Sequence, residues 1–215
     1  MCQPNTRFSV HFAEAFSLAL KLHRDQTRKR AEDERDSAGI LATNHHVVEG
    51  CREIQAKLKN GDEYTIVGVY AIDPAKDLVL LRIPGFGLPT LSLGDSDSVR
   101  KGDRLLVLGD PLGLEGTVSE GVLSAIRQLE GHRVFQMDAA VSSGSSGGPV
   151  LNGDGDAVAV TTFKLEQGES LNFAVPINYI RGLLAVDRGL GSAPWTSYCL
   201  PLGTAPDSIR PSPTP

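Results

Sequence analysis

The chain has 215 residues, 40% hydrophobic and 22% charged, with a formal net charge of −5. That is enough apolar material to bury one or two cores without a cofactor, and none is expected. The acidic balance argues against a nucleic-acid surface. The three cysteines, Cys2, Cys51 and Cys199, are too few and too scattered for a disulfide framework or a zinc site, so Cys51 reads as a small apolar residue at a strand start.

Residues 1–36 form an atypical arm. Phe8, Val10 and Phe12 alternate as in a strand, while Phe12, Phe16 and Leu20 also fit a helix, and the residues leave both open. The stretch 8–22 makes no convincing signal peptide, because His11 and Glu14 interrupt it and no small-residue cleavage site follows. The charge-dense run 21–36 reads as a solvated helix or a disordered arm, with Arg28/Glu32 and Arg30/Glu34 at i,i+4 spacing. Nowhere does an apolar run approach the ~20 residues of a membrane span.

From Gly39 onward short apolar or alternating stretches recur between turn signals, which is the pattern of an all-β protein. Strands are expected at 40–43, 53–58, 63–72 and 78–83, with Asn60-Gly61 as a hairpin turn. A Gly-, Pro- and Ser-rich connection, 84–101, follows. Further strands are expected at 104–109, 117–126, 133–137, 149–151, 157–162 and 171–175, with a turn at Asn152-Gly153-Asp154-Gly155. Six strands in the second half suffice for a closed barrel. Only four are legible in the first half, which leaves its N-terminal side open to being incomplete. A terminal helix is expected at about 177–187, with Tyr179, Ile180, Leu183 and Leu184 as its apolar face. Residues 188–215 read as a Pro-rich flexible tail.

Chemistry concentrates in three segments. Gly144-Ser145-Ser146-Gly147-Gly148-Pro149 surrounds a serine with glycines that permit an unusual backbone path. A serine hydroxyl is a poor nucleophile unless a base takes its proton and N–H groups receive the oxyanion. Upstream, Thr43-Asn44-His45-His46-Val47-Val48 offers a base, and Asp73 through Asp77 offers a carboxylate to orient it. The residues alone do not separate His45 from His46. Asp77 competes with Asp73 for the acid's role and has the advantage of touching the apolar run 78–81. Gly144-Ser145-Ser146-Gly147-Gly148 also satisfies the G-x-S-x-G elbow, but there the histidine follows the serine, and all five histidines of this chain precede Ser146. The surviving order is His, Asp, Ser.

Asp77-Leu78-Val79-Leu80-Leu81-Arg82 is similar to the D-L-A-V-L-K segment of the HtrA/Deg family of trypsin-like serine proteases. Thr43 through Val48 resembles its T-N-x-H-V-V, and Asp138 through Pro149 its D-A-A-I-x-x-G-N-S-G-G-P. Segments 91–97, 109–114 and 171–176 resemble its L-G-D-S, G-N-P-F-G-L and G-F-A-I-P. The resemblance runs from about Gly39 to Leu184; the family's G-S-G-F ahead of the histidine is absent. It implies a chymotrypsin-type double β-barrel, with barrels at about 37–86 and 100–176 inside a protease domain of 37–187. It implies a triad of His46, Asp77 and Ser146, with His45 left to a structural or solvent role. The oxyanion hole would come from the N–H groups of Gly144, Ser145 and Ser146.

The resemblance also implies a serine endopeptidase acting on unfolded or misfolded polypeptides. Ala140 stands six residues before the nucleophile, where Lys- and Arg-specific relatives carry an aspartate. With Val141 beside it, small or medium aliphatic residues are expected at the cleavage site. Leu171, Asn172, Phe173 and Ala174 are expected to offer the strand edge on which substrate backbone pairs. An inactive polypeptide-binding module with a truncated first barrel is the alternative, and an esterase a weaker one. A homo-trimer and an extracytoplasmic location follow from the resemblance only. Many family members continue into a PDZ domain, for which the residues after the terminal helix are too few.

Overall fold

A computed structural model describes residues 7–10, 38–51, 53–58, 61–84, 88, 90–109, 117–141, 143–164 and 171–185. The charged run 21–36 and the Pro-rich tail lie outside the described residues. Of the ambiguous N-terminal stretch, Arg7–Val10 is a strand, β1.

Among the described residues of the first half, six strands form two three-stranded sheets. β2 (Ala38–Thr43), β6 (Leu78–Pro84) and β5 (Gly68–Asp73) make one, ordered β2-β6-β5. β1, β3 (Glu53–Lys57) and β4 (Glu63–Thr65) make the other, ordered β1-β3-β4, with β1 parallel to β3. The single strand expected over 63–72 is therefore two strands in different sheets. Its middle changes partners, for the Ile66 N–H donates to Ile54 in one sheet and the Val67 N–H to Arg82 in the other. A ladder cannot follow two partners without such a break.

β6 explains its own sequence. Leu78 through Leu81 are all buried, because the strand is covered on both faces and so reads as a continuous apolar run. Leu41, Val79 and Leu81 face a core with Val48, Ile54 and Val69. Ile40, Ala42, Leu78 and Leu80 face the other way, onto Leu108, Val160, Val175 and Ile177 of the second half. The strand that begins just after the candidate acid is thus clamped between two cores.

Cys51, fully buried between α1 (His45–Val48) and β3, takes part in a disulfide. That corrects its reading as a merely apolar filler; the spacing of the cysteines gave no hint of it.

The second half is a closed six-stranded barrel in the order β10-β11-β12-β9-β8-β7. Its strands are β7 (Arg104–Gly109), β8 (Thr117–Leu129), β9 (His132–Met137), β10 (Pro149–Leu151), β11 (Ala157–Lys164) and β12 (Asn172–Pro176). β8 runs three residues past its expected end. Glu130 and Gly131, both at positive φ (51° and 81°), turn it back into β9, the geometry of a two-residue hairpin loop. The terminal helix is α2 (Ile177–Ala185), and Ile177, Ile180 and Leu183 bury its apolar stripe. Asn178 of α2 donates to Asp95 (2.8 Å) and Asp97 (3.0 Å), pinning the connection between the halves. Among the described residues no helix is long and apolar enough to cross a membrane.

Candidate active site

Asp77 is the junction of the site. A 3₁₀ turn, Pro74–Lys76, delivers the chain into it, and Asp77 itself adopts a left-handed conformation (φ 55°, ψ 40°) before β6 begins. Such a backbone is disfavoured for a residue with a Cβ, though Asp tolerates it better than most. The Asp77 N–H closes the turn on Pro74 O (3.1 Å), and its carbonyl accepts from the His45 N–H (3.1 Å) and Asn44 Nδ2 (3.1 Å).

The carboxylate is equally engaged. Oδ1 accepts the His46 backbone N–H (2.9 Å), Oδ2 pairs with His46 Nδ1 (2.7 Å), and Oδ2 also accepts the Thr162 hydroxyl (2.7 Å). Burial pushes the Asp77 carboxyl upward, but the donors from His46 and Thr162 outweigh it and hold the group below the ordinary carboxylate range. A carboxylate on Nδ1 fixes the tautomer that leaves Nε2 free to accept a proton. The His46 side chain is 49% exposed, open to an incoming ligand, whereas Asp77 is 28% exposed. Asp73, the competing acid, is paired with Lys76 (2.6 Å) and so is occupied.

Ser146 comes from the other half. The loop before it is a 3₁₀ turn, Ser143–Ser145, and Gly147 after it stands at φ +84°. A Cβ on Gly147 would run into the Thr43 hydroxyl, and one on Gly148 into the Leu108 carbonyl. Both glycines are therefore required for the turn to seat between the halves. The Gly147 N–H donates to Thr161 O (2.9 Å), and the Thr161 N–H to Gly148 O (2.9 Å). The Ser146 hydroxyl donates to Thr162 O (3.0 Å) rather than to the imidazole.

Two contributors escaped the sequence reading. Thr162 touches both ends of the site, Asp77 through its hydroxyl and Ser146 through its carbonyl. The pair Thr161-Thr162, following directly on the apolar run 157–160, was the available signal. Asn44, quoted in a motif but given no role, reaches the Asp77 carbonyl.

The three oxyanion candidates Gly144, Ser145 and Ser146 lie in or just after the 3₁₀ turn. Ala140 is exposed and Val141 is buried close by. The expected substrate edge needs correction. Asn172, Phe173 and Ala174 sit in β12, which is paired with β9 on one side and β11 on the other. A strand in the middle of a closed barrel has no free backbone edge to offer. These residues, all buried, can only line a wall, and Leu171 lies half-buried just before them. The edge that extends past its neighbour belongs to β11: β10 pairs with it only as far as Val160. A cavity of about 460 Å³ flanks the acid, lined by Lys76, Asp77, Leu129, His132, Thr162 and Val175 among others.

Residues 33–160 match the family described as trypsin-like peptidase domain. A probable periplasmic serine endoprotease DegP-like of Chlamydia muridarum is 37% identical over 171 residues, covering 74% of this chain and 34% of that protein. The mitochondrial serine protease HTRA2 of Bos taurus is 37% identical over 155 residues, covering 68% and 33%. Among solved structures, the HtrA-type protease AlgW with decapeptide superposes with a TM-score of 0.64 at 31% identity, covering 74% of this chain and 50% of that one. The chain thus spans about a third of the length of the curated relatives it matches.

Proposed function

The chain belongs to the HtrA family of trypsin-like peptidases, and from that premise we propose that it is a serine endopeptidase working through His46, Asp77 and Ser146. The observation that carries the reading is the single carboxylate of Asp77, which holds His46 directly and, through Thr162, is one residue removed from the Ser146 hydroxyl. A χ1 rotation of Ser146 turns its hydroxyl from the Thr162 carbonyl to His46 Nε2. His46 then takes the proton as the oxygen attacks the scissile carbonyl, Asp77 steadies the imidazolium, and water later releases the acyl-enzyme. The N–H groups of Gly144 and Ser146, with Ser145 between them, receive the oxyanion. Each such donor is worth about 3–4 kcal/mol of transition-state stabilisation.

Substrate backbone pairs along the β11 edge past Thr162, by strand addition. Ala140 and Val141, without a carboxylate, favour a small or medium aliphatic residue at the cleavage position. The substrates are unfolded or misfolded polypeptides, the location is outside the cytoplasm, and the assembly is a homo-trimer. All three extend what the family resemblance implies.

A second reading, an inactive polypeptide-binding module, is favoured by one observation: the Ser146 hydroxyl rests on the Thr162 carbonyl. Labelling with a fluorophosphonate separates the two. The folded wild type should gain one phosphonyl adduct by intact mass, and Ser146→Ala none. A folded wild type that stays unlabelled would establish the binder.

A further inference from the structure

We propose that Asn44 is a positioning residue for the triad, holding Asp77 in its left-handed backbone so that the carboxylate stays aimed at His46. The inference rests on the proteolytic reading for its consequence, but its geometry stands apart from it.

Asn44 occupies the residue before α1, where an asparagine ordinarily caps the helix by accepting an N–H of the first turn. It makes no such bond. Its carboxamide turns instead to Asp77, 33 residues away, and Nδ2 donates to the Asp77 carbonyl at 3.1 Å. The side chain is fully buried, and its other end, Oδ1, has no hydrogen-bond partner. Burying an amide with one end unsatisfied is unfavourable. A leucine of similar shape would avoid that cost, so folding stability alone does not account for an asparagine here.

What the bond secures is a strained residue. Asp77 is one of two non-glycine residues at positive φ among those described, and the other, Glu130, lies in an exposed hairpin turn. The carbonyl of Asp77 is fixed by two donors, Asn44 Nδ2 and the His45 N–H, and both come from the segment that carries His46. Acid and base are therefore tied through backbone as well as through the carboxylate–imidazole pair. With Asn44 gone, one of the two anchors on the peptide following Asp77 is lost. The chain can then relax toward a right-handed or extended backbone, swinging the carboxylate away from Nδ1. Misplacement by about 1 Å in such an arrangement can lower a rate by up to about 100-fold.

Asn44→Ala and Asn44→Leu test this, the second filling the volume without a donor. The first readout is the downfield proton resonance of His46 Nδ1–H, which reports the bond to Asp77 whether or not the protein cleaves anything. It should broaden or vanish in both variants while the rest of the amide spectrum stays dispersed. The second readout is hydrolysis of a peptide reporter, in which kcat should fall by 10- to 100-fold with KM within about twofold. A resonance and a kcat that survive in folded Asn44→Leu would overturn the proposal, for volume and not the donor would then be what matters. If one variant fails to fold, the other decides. A wild type that shows the resonance but no hydrolysis would refute the proteolytic reading and leave the positional one to be judged by the spectrum alone.

Discussion

Replacing Thr162 by valine removes one hydroxyl from the site and leaves the backbone carbonyl that receives Ser146. The hydroxyl donates at 2.7 Å to the same Asp77 oxygen that pairs with His46. A hydrogen bond to a charged group contributes about 1.5–3 kcal/mol. Since the Asp77 side chain is 28% exposed, water can partly stand in for the lost donor, and the lower end applies. At about 1.4 kcal/mol per factor of ten, this predicts a fall in kcat/KM of roughly 10- to 30-fold. Thr162→Ser keeps the donor and should retain most of the activity. Stability gives a second handle. In the folded chain the Asp77 carboxyl is held below its ordinary value, so the folded state binds this proton less readily than the unfolded one. The resulting stabilisation is complete above a pH of about 4 and drains away as the pH falls below it. Valine at 162 removes a donor while the opposing pull of burial remains, so the carboxyl rises and acid unfolding begins at a higher pH. Steady-state hydrolysis of a peptide reporter and denaturation midpoints across the acid range measure both. A Thr162→Val enzyme within twofold of wild type, unfolding at the same pH, would show that Thr162 does not support the acid.

Gly147→Ala forces a Cβ onto a backbone at φ +84° and toward the Thr43 hydroxyl. The left-handed conformation alone costs about 1–2 kcal/mol, so the melting midpoint should drop by roughly 2–8 °C, and Ser146 should no longer be labelled by a fluorophosphonate. Melting and labelling indistinguishable from wild type would mean that the nucleophile turn is not locked between the halves. Ala140→Asp adds a carboxylate to the proposed cleavage pocket, and a peptide-library profile should gain cleavage after Lys and Arg. An unchanged profile would move the pocket base elsewhere.

The second barrel was legible because each of its strands carries an alternating or apolar pattern and is bounded by turn residues. All six expected strands are found with ends displaced by no more than three residues, the largest miss being the end of β8. There Arg127 and Gln128 are exposed and look like loop, yet pair with Val134 and Arg133 of β9. The first half was harder, since β4 and β5 follow one another with no turn signal strong enough to mark the change of sheet at Ile66 and Val67. Choosing His46 over His45 needed the family motif, whereas Asp77 had the adjoining apolar run 78–81 in its favour over Asp73 as well as the motif. Geometry supplies its own grounds: His45 contributes a backbone N–H, and Asp73 is taken by Lys76. The substrate edge was misread because periodicity marks a strand without saying how many neighbours it has. β12 and β11 look alike in sequence, and only the closing of the barrel decides which retains an open edge.

That difficulty is general for this kind of site. Motif spacing records which side chains carry the chemistry, but the groups that aim them act largely through the backbone. The Asp77 carbonyl, the His45 and His46 N–H groups and the Thr162 carbonyl carry no side-chain identity. Their placement follows from β6 being held between two cores, which fixes where Asp77 begins that strand, and from β11 bonding to the glycine turn after Ser146. It follows that changes at buried, chemically inert positions of β6 should alter the rate before they alter the reactive groups. A smaller residue at Leu78 or Leu80 loosens the wall against which Asp77 is set, even though neither side chain is polar. On the proposed triad, reactivity is a property of how two halves of the chain are packed, expressed through one strained aspartate at their seam.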